Sequence, residues 1–291
     1  MSARPPVTIS VITPSFRQPE WLRLCAASVA DQEGEGVIVE HIVQDALSGP
    51  ETAGALRPFP RAQLFSEKDD GMYDAIRRGW DRARGDILCW LNCDEQYLPG
   101  ALARVADYFR DHPETEVLVA DAVVVDPSGR YVCSRQVLAP LLYHSWICHL
   151  GTLSCATFFR RDLVRERGFA LDPRWRSVGD ADLLVRLLRA RVRINVLRAY
   201  LAVFVDTGEN LSLRPLALRE MAQLAAEAPP WAQALRRFWV ILHRVRRMLA
   251  GLYRLQPFSY RIYTPESPRQ RVELSVTRPT FHWKGRVDWR S

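Results

Sequence analysis

The chain has 291 residues, 48% of them hydrophobic, which is enough to bury a sizeable core; a disordered chain is excluded and one large α/β domain with an appendage is admitted. Lys and Arg (40) outnumber Asp and Glu (33), a balance that on its face invites nucleic acid or an anionic membrane. The distribution decides between them: Arg236, Arg237, Arg244, Arg246, Arg247 and Arg254 lie between Trp231 and Gln256 with no acid among them, so the remaining body is nearly neutral and lacks the spread basic groove that nucleic acid requires.

Short β-rich runs alternate with amphipathic helical segments from Val7 to about Ala202, the pattern of a layered α/β sheet. Strands are predicted at 7–12, 37–43, 63–65, 86–91 and 117–120, with helices at 19–30, 72–84 and 99–109. The run at 86–91 is continuously apolar, as in a strand buried on both faces. A hairpin is expected around Asp126-Pro-Ser-Gly129, then a short strand at 156–159, short helix at 161–167, helix at 180–190 and strand at 193–196. Beyond Pro215 the composition turns to helical Ala, Leu and Arg, broken at Pro229-Pro230, and the tail from Pro257 has no clear periodicity. The six cysteines form no C-x-x-C pair and several sit in apolar runs, so they are read as reduced thiols. The polar start before Val7 carries no signal-peptide pattern and no stretch reaches transmembrane length, so a cytosolic location is expected.

Acidic residues gather at the carboxyl ends of the predicted strands, where open α/β sheets bind ligands: Asp45 after the second, Glu67 and Asp69 after the third, Asn92-Cys-Asp-Glu95 after the fourth. Asn92 and Asp94 project from alternate positions and suit a hard divalent cation that also takes phosphate oxygens. Taken alone, capping of the following helix near Pro99 is the stronger reading. His144 and His149 fit neither a helical face nor a zinc-finger spacing and are read as acceptor-loop or packing residues. Trp175, between Arg174 and Arg176, suits stacking on a sugar ring or packing in a loop.

Several segments resemble bacterial family 2 glycosyltransferases: Ser10-Val-Ile-Thr-Pro-Ser-Phe16, Val43-Gln-Asp45, Ser66-Glu-Lys-Asp-Asp-Gly-Met-Tyr-Asp-Ala75, Gly79, Ala83-Arg-Gly-Asp86 and Trp90-Leu-Asn-x-Asp94. Ala156-Thr-Phe-Phe-Arg-Arg161, Gly168-Phe-Ala-Leu-Asp172 and Gly179-Asp-Ala-Asp-Leu-Leu-Val-Arg186 extend the resemblance to about Phe204. It implies a GT-A fold, a Rossmann-like, mostly parallel sheet flanked by helices, with a nucleotide-diphosphate sugar donor, a divalent cation (Mn2+ or Mg2+) and inverting transfer to an acceptor hydroxyl. Carried over by position, Thr13 and Asp45 hold the base, Glu67 or Asp69 lines the nucleoside pocket, and Asn92 and Asp94 stand at the family's Asp-x-Asp motif with Asp94 on the metal. Asp180 falls at the general base, with helix capping as its bland alternative, while Asp182, Trp175 and His149 are candidates for acceptor contact. The departures are Asp45-Ala-Leu-Ser-Gly-Pro-Glu51 in place of a Gly/Ser/Thr-Asp run, Arg77 for Asn, Glu95 for Asp, and Ser154-Cys155 for His-Gln. The rival from another class is a catalytically silent nucleotide-sugar or glycan-binding module on the same fold.

Trp231, Leu235, Phe238, Trp239, Leu242, Val245, Leu249 and Leu252 recur every three to four residues, while Arg237, Arg244, Arg247 and Arg254 mark another face. Such an amphipathic, acid-free helix suits peripheral contact with an anionic bilayer through 231–256, ahead of packing on the domain or self-association. The expected organisation is a catalytic domain at 1–213, a basic helical extension at 214–256 and a tail at 257–291. The functional expectation is a glycosyltransferase of surface-polysaccharide or glycolipid synthesis. It would use a lipid-linked glycan acceptor and lie peripherally at the cytosolic face of the inner membrane.

Overall fold

The computed structural model describes residues 5–34, 36–208 and 215–283. Four parallel strands form the nucleotide-binding half in the order β3-β2-β1-β4: β1 (Val7–Ser15), β2 (Val37–Asp45), β3 (Ala62–Ser66) and β4 (Ile87–Trp90). Helices α1 (Pro19–Ala30), α2 (Pro50–Leu56) and α3 (Met72–Arg82) cross between them. Pro19 opens α1, where its missing N–H costs nothing, and Leu22, Cys25, Ala26 and Val29 make the buried stripe that fixes it on the sheet. Gly79 lets α3 lie directly on β1: a Cβ there would fall 2.5 Å from Ile12 Cγ2.

The sheet continues through β8 (Thr157–Arg160), β6 (Val117–Val125), β9 (Ile194–Val205) and β5 (Gln96–Tyr97), with β7 (Tyr131–Arg135) paired to β6 as a hairpin. β8, β5 and β7 run against the remaining six of its nine strands. Alternation along β8 sends Phe158 and Phe159 to opposite faces. Phe159 stacks on Trp90 at 5.7 Å and meets Trp80 edge-on in one core, whereas Phe158 joins Tyr97 and Phe109 under α4 (Ala101–Asp111) in the other. The six cysteines are all free and buried, in line with their apolar contexts.

The second half departs further from the periodic reading. α5 (Leu142–Ile147) and α6 (Arg161–Arg165) precede α7 (Gly179–Arg189), and α8 (Pro215–Ala226) leads into the carboxyl-terminal helices. The amphipathic segment is two helices, α9 (Pro230–Ala234) and α10 (Arg236–Leu249), with the join at Leu235. Its faces also differ from the expected ones. Trp239 and Val240 turn inward onto the core, with Trp239 Nε1 donating to the Ala232 carbonyl at 3.0 Å. Arg246 and Arg247 also turn inward, donating to the carbonyls of Ala139 and Gln136. Phe238, Ile241, Val245, Met248 and Leu249 form an outward stripe, Leu249 being 79% exposed. Among the described residues no helix is long and apolar enough to cross a membrane.

The tail carries regular structure that the sequence reading did not assign. β10 (Phe258–Thr264) and β11 (Ser267–Val276) form an antiparallel hairpin whose Tyr260, Ile262 and Val276 pack on Val123, Val125, Val203 and Val205 of β6 and β9. Arg271 clips it to α1 through Asp31 (2.6 Å) and to the Tyr97 carbonyl (2.9 Å). Phe258-Ser-Tyr-Arg-Ile-Tyr-Thr264 does alternate inward and outward residues, but over one short run with arginine on its outer face.

Candidate active site

Strand register assembles the site. Ser15 lies opposite Asp45, Asp45 opposite Ser66, and Ile12 opposite Trp90, so the chain segments leaving β1, β2, β3 and β4 emerge along one edge. Two non-glycine residues with positive φ, Arg17 (54°) and Leu47 (55°), stand on the first two of these exits. Residues held in that region cluster at ligand-binding turns. The Arg17 N–H donates to Ser48 Oγ at 2.8 Å, tying the two exit loops together and leaving Phe16 (56% exposed) and Leu47 (60%) at the mouth.

The turn after β4 is closed reciprocally. The Asn92 N–H donates to Glu95 Oε2 at 2.8 Å and the Glu95 N–H to the Asn92 carbonyl at 2.9 Å. Cys93 turns toward α1, its thiol donating to Gln18 Oε1 at 2.8 Å. Burial raises the carboxyl pKa values of Asp94 and Glu95, and the Asp94 charge adds to the rise at Glu95. Asn92 Oδ1 and Glu95 Oε1 are buried with no hydrogen-bond partner. Concentrated, undercompensated oxygen is a donor set that fits a hard divalent cation, which needs only one or two protein carboxylates when phosphate and water complete its shell.

Asp180 is the second residue of α7, whose N-cap is Val178, and it makes no side-chain cap. Its Oδ1 accepts from the Tyr73 hydroxyl at 3.1 Å and from the Ala181 N–H at 2.9 Å. The carboxylate enters a narrow cleft lined by Trp90, Thr152, Thr157, Phe159 and Leu183. Burial raises its pKa while the two donors oppose that rise. Tyr73 reaches it because Gly179 has no side chain: a Cβ there would sit 2.8 Å from Tyr73 Cδ2. The loop before α7 is held by the buried Glu220 of α8, whose carboxylate accepts the N–H groups of Arg176 and Ser177.

The other sequence candidates divide. Glu67, beside the β3 exit, is partly exposed and bound to Arg82 (2.9 Å), Arg78 and Gln44; the Arg82 hydrogen bond holds its pKa below the usual range. Asp69 accepts the Gly71 N–H at 2.9 Å, and burial raises its pKa. Asp45 is fully buried and accepts from Ser48 N–H, Thr52 Oγ1 and Ser66 Oγ, so it fastens the β2 exit loop to β3. Thr13 turns its hydroxyl inward to His41 Nε2 at 3.0 Å, leaving its backbone as the part nearest the site. Asp182 faces away from Asp180 and is bound to Arg186 at 2.8 Å and Arg174 at 3.8 Å. Trp175 is in the core, 2% exposed, with Arg174 over its ring at 4.5 Å, so it offers no face to a sugar in this structure. His149 packs against His144 and His243. Two site residues escaped the sequence reading. Tyr73 lies within a quoted motif but shows no link to Asp180 until the chain is folded, and exposed Arg176 lies over Gly71 at the start of α3.

The model of the family described as glycosyl transferase family 2 matches residues 10–167. A glycosyltransferase of PGL/p-HBAD biosynthesis from Mycobacterium bovis is 30% identical over 184 residues, covering 61% of this chain and 68% of the relative. Among solved structures, S. aureus TarS 1-349 in complex with UDP-GlcNAc superposes with a TM-score of 0.58 at 17% identity, covering 83% of this chain and 73% of that one. Against the longer TarS chain the match spans 43% of its length. The mannosyltransferase PcManGT from Pyrobaculum calidifontis, in complex with GDP-Man and Mn2+, gives 0.52 at 14% identity, covering 86% of this chain and 81% of that one.

Proposed function

The chain belongs to glycosyl transferase family 2, and from that premise we propose that it is an inverting, cation-assisted glycosyltransferase with Asp180 as its general base. The observation that carries this reading is the single recessed carboxylate of Asp180, held by Tyr73 and Ala181 in a cleft that begins at Trp90, two residues before Asn92. Inversion needs one base on the sugar face opposite the leaving group and no protein nucleophile, and Asp180 would be that base. Asp94 and Asn92 would hold the Mn2+ or Mg2+ ion, which when bound neutralises charge growing on the departing diphosphate. The exits of β1, β2 and β3 would hold the nucleoside, with Asp45 shaping the loop, the Thr13 backbone nearby, and Glu67 and Asp69 along the wall. Asp180 would take the acceptor proton as the hydroxyl oxygen bonds to the anomeric carbon.

The donor is a nucleotide-diphosphate sugar. UDP-GlcNAc and GDP-Man in the structural neighbours show that the fold accepts different nucleotides, so it does not choose one for this chain. The acceptor is proposed to be a lipid-linked glycan or glycolipid, supported by the relative in PGL/p-HBAD biosynthesis and by the outward apolar stripe of α10, which suits peripheral contact with an anionic cytosolic leaflet. The test is a panel of UDP-, GDP- and TDP-sugars, scoring nucleotide release with Mn2+, Mg2+ or chelator. One donor should be cleaved in the presence of cation only. Asp94→Ala should abolish release, and Asp180→Asn should suppress transfer while donor binding survives. Equal turnover in chelator and in metal overturns the cation's role; full transfer by Asp180→Asn overturns the base. Donor binding without turnover under every condition would favour the silent binding module.

A further inference from the structure

Three histidines from separate parts of the chain meet beneath α10. His144 is in α5, His149 follows that helix, and His243 comes from the inward face of α10; one ligand atom of each lies within 4.8 Å of the others. The α5 end brings the first two together, since the carbonyl of His144 accepts the N–H groups of both Cys148 and His149. The rings of His144 and His243 are stacked at 4.0 Å and 13°, and His149 stands edge-on to both.

Hydrophobic packing does not account for this cluster. His144 is 2% exposed, and its Nε2 is buried without a hydrogen-bond partner, a state that buried polar groups rarely keep. An imidazole in its neutral form carries one lone pair on its unprotonated ring nitrogen, the group a transition ion takes.

We propose that His144, His149 and His243 form a second metal site, selective for Zn2+ or a similar transition ion and distinct from the oxygen-lined cation site at Asp94. Ligand chemistry separates the two. Three neutral imidazoles with no carboxylate suit a borderline ion in tetrahedral coordination, whereas Mg2+ and Mn2+ favour oxygen. The centre of a triangle with 4.8 Å edges is about 2.8 Å from each corner, so each nitrogen must close by under about 1 Å to reach the usual Zn–N distance of about 2.0–2.1 Å. The stacked rings of His144 and His243 must also tilt so that their lone pairs converge. Water or an anion would complete the tetrahedral shell. The bound ion would join α10 to α5 beside the loop whose Leu150 and Thr152 line the Asp180 cleft.

The test uses the purified full chain stripped of metal and titrated with Zn2+ against a chromophoric chelator, and separately with Co2+ followed by its visible absorption. The wild type should bind one Zn2+ per chain at this site, show the intense bands of tetrahedral Co2+, and melt at a higher temperature with Zn2+. His243→Gln, part-exposed on α10, should weaken Zn2+ binding at least a hundredfold and lose both the bands and the thermal shift, with circular dichroism confirming that it is folded. Asp94→Ala should retain all three. The site is overturned if the wild type binds no Zn2+, or if folded His243→Gln binds it with wild-type affinity and spectrum.

Discussion

Replacing Tyr73 by Phe removes one hydroxyl from the site and leaves the ring that packs on Gly179. In the wild type that hydroxyl donates to Asp180 Oδ1 at 3.1 Å, beside the Ala181 N–H at 2.9 Å. A hydrogen bond to a charged acceptor contributes about 1.5–3 kcal/mol. Because Tyr73 donates, it favours the ionised carboxylate, so its loss adds to the rise that burial already causes at Asp180. At about 1.4 kcal/mol per factor of ten, that hydrogen bond corresponds to about a 10- to 100-fold change in the balance between the ionised and protonated carboxyl. A general base must be ionised to act, so the acid limb of the kcat/KM profile should move to higher pH. Below that limb the variant should run about 10- to 100-fold slower than wild type at equal pH and recover most of the deficit above it. The assay is transfer to acceptor from the donor found in the panel, across pH 5–9, with circular dichroism to confirm folding. Gly179→Ala should produce a related shift by another route, since its Cβ would push the Tyr73 ring aside. An unchanged acid limb in Tyr73→Phe refutes the claim that Tyr73 sets the ionisation of the base.

Two further predictions concern the frame that holds the site. His41 is buried beside Thr13 and its pKa is lowered to about 4 by burial, against 6.5 for an ordinary histidine. The neutral ring's contribution is therefore complete above pH 6.5 and lost as pH falls toward 4, because the unfolded chain takes up a proton that the folded chain refuses; over that window it amounts to about 3 kcal/mol. Urea unfolding of His41→Gln should show a pH slope between 6.5 and 4 shallower by close to one proton, and an identical slope would contradict this. Glu220→Ala should destabilise the fold by about 2–3 kcal/mol, because the Arg176 and Ser177 N–H groups lose a charged acceptor. It should also slow transfer more than it weakens donor binding, which a kcat and KM comparison will read.

The parts of this protein legible in sequence were those set by local pattern. Helix α1 runs from Pro19 to Ala30 as its proline start and apolar spacing require, and the strand-end acids do lie along one edge of the sheet. Strand β9 was expected at 193–196 but runs from Ile194 to Val205, because its second part pairs with β6 after register shifts that no alternation announces. Side-chain direction was least legible. Thr13, Asp45 and Trp175 are polar or aromatic residues near the site by position, yet each turns into protein, where hydrogen-bond partners or packing claim it. Tyr73 with Asp180, and His243 with His144, join segments far apart in sequence, and only the folded sheet and the docking of α10 bring them together.

The opposed faces of α10 allow the proposed bilayer contact to be tested without disturbing the docked helix. The sequence pattern grouped Phe238 with Trp239 and set the arginines on another side, but Trp239, Arg246 and Arg247 face the protein, so their mutation would mix membrane effects with unfolding. Ile241 (59% exposed) and Met248 (61%) are on the outward stripe, with Arg237 and Arg244 also exposed. Inserting such half-exposed side chains into a bilayer interface contributes about 1 kcal/mol each, from the roughly 1.5–3 kcal/mol of complete burial. Changing both to Glu removes that gain and brings two negative charges to an anionic surface, at a cost near the ~1 kcal/mol that each basic residue contributes with the opposite sign. The double variant should therefore bind vesicles containing anionic lipid by about 3–4 kcal/mol less, more than a hundredfold in partition. Its melting temperature and donor cleavage should stay at wild-type values, because neither side chain enters the core or the cleft. Arg237→Gln with Arg244→Gln should lower the partition by about tenfold or more and flatten its salt dependence. Co-sedimentation over a salt series measures both, and unchanged partition of the Ile241→Glu, Met248→Glu chain would show that this stripe faces something other than lipid.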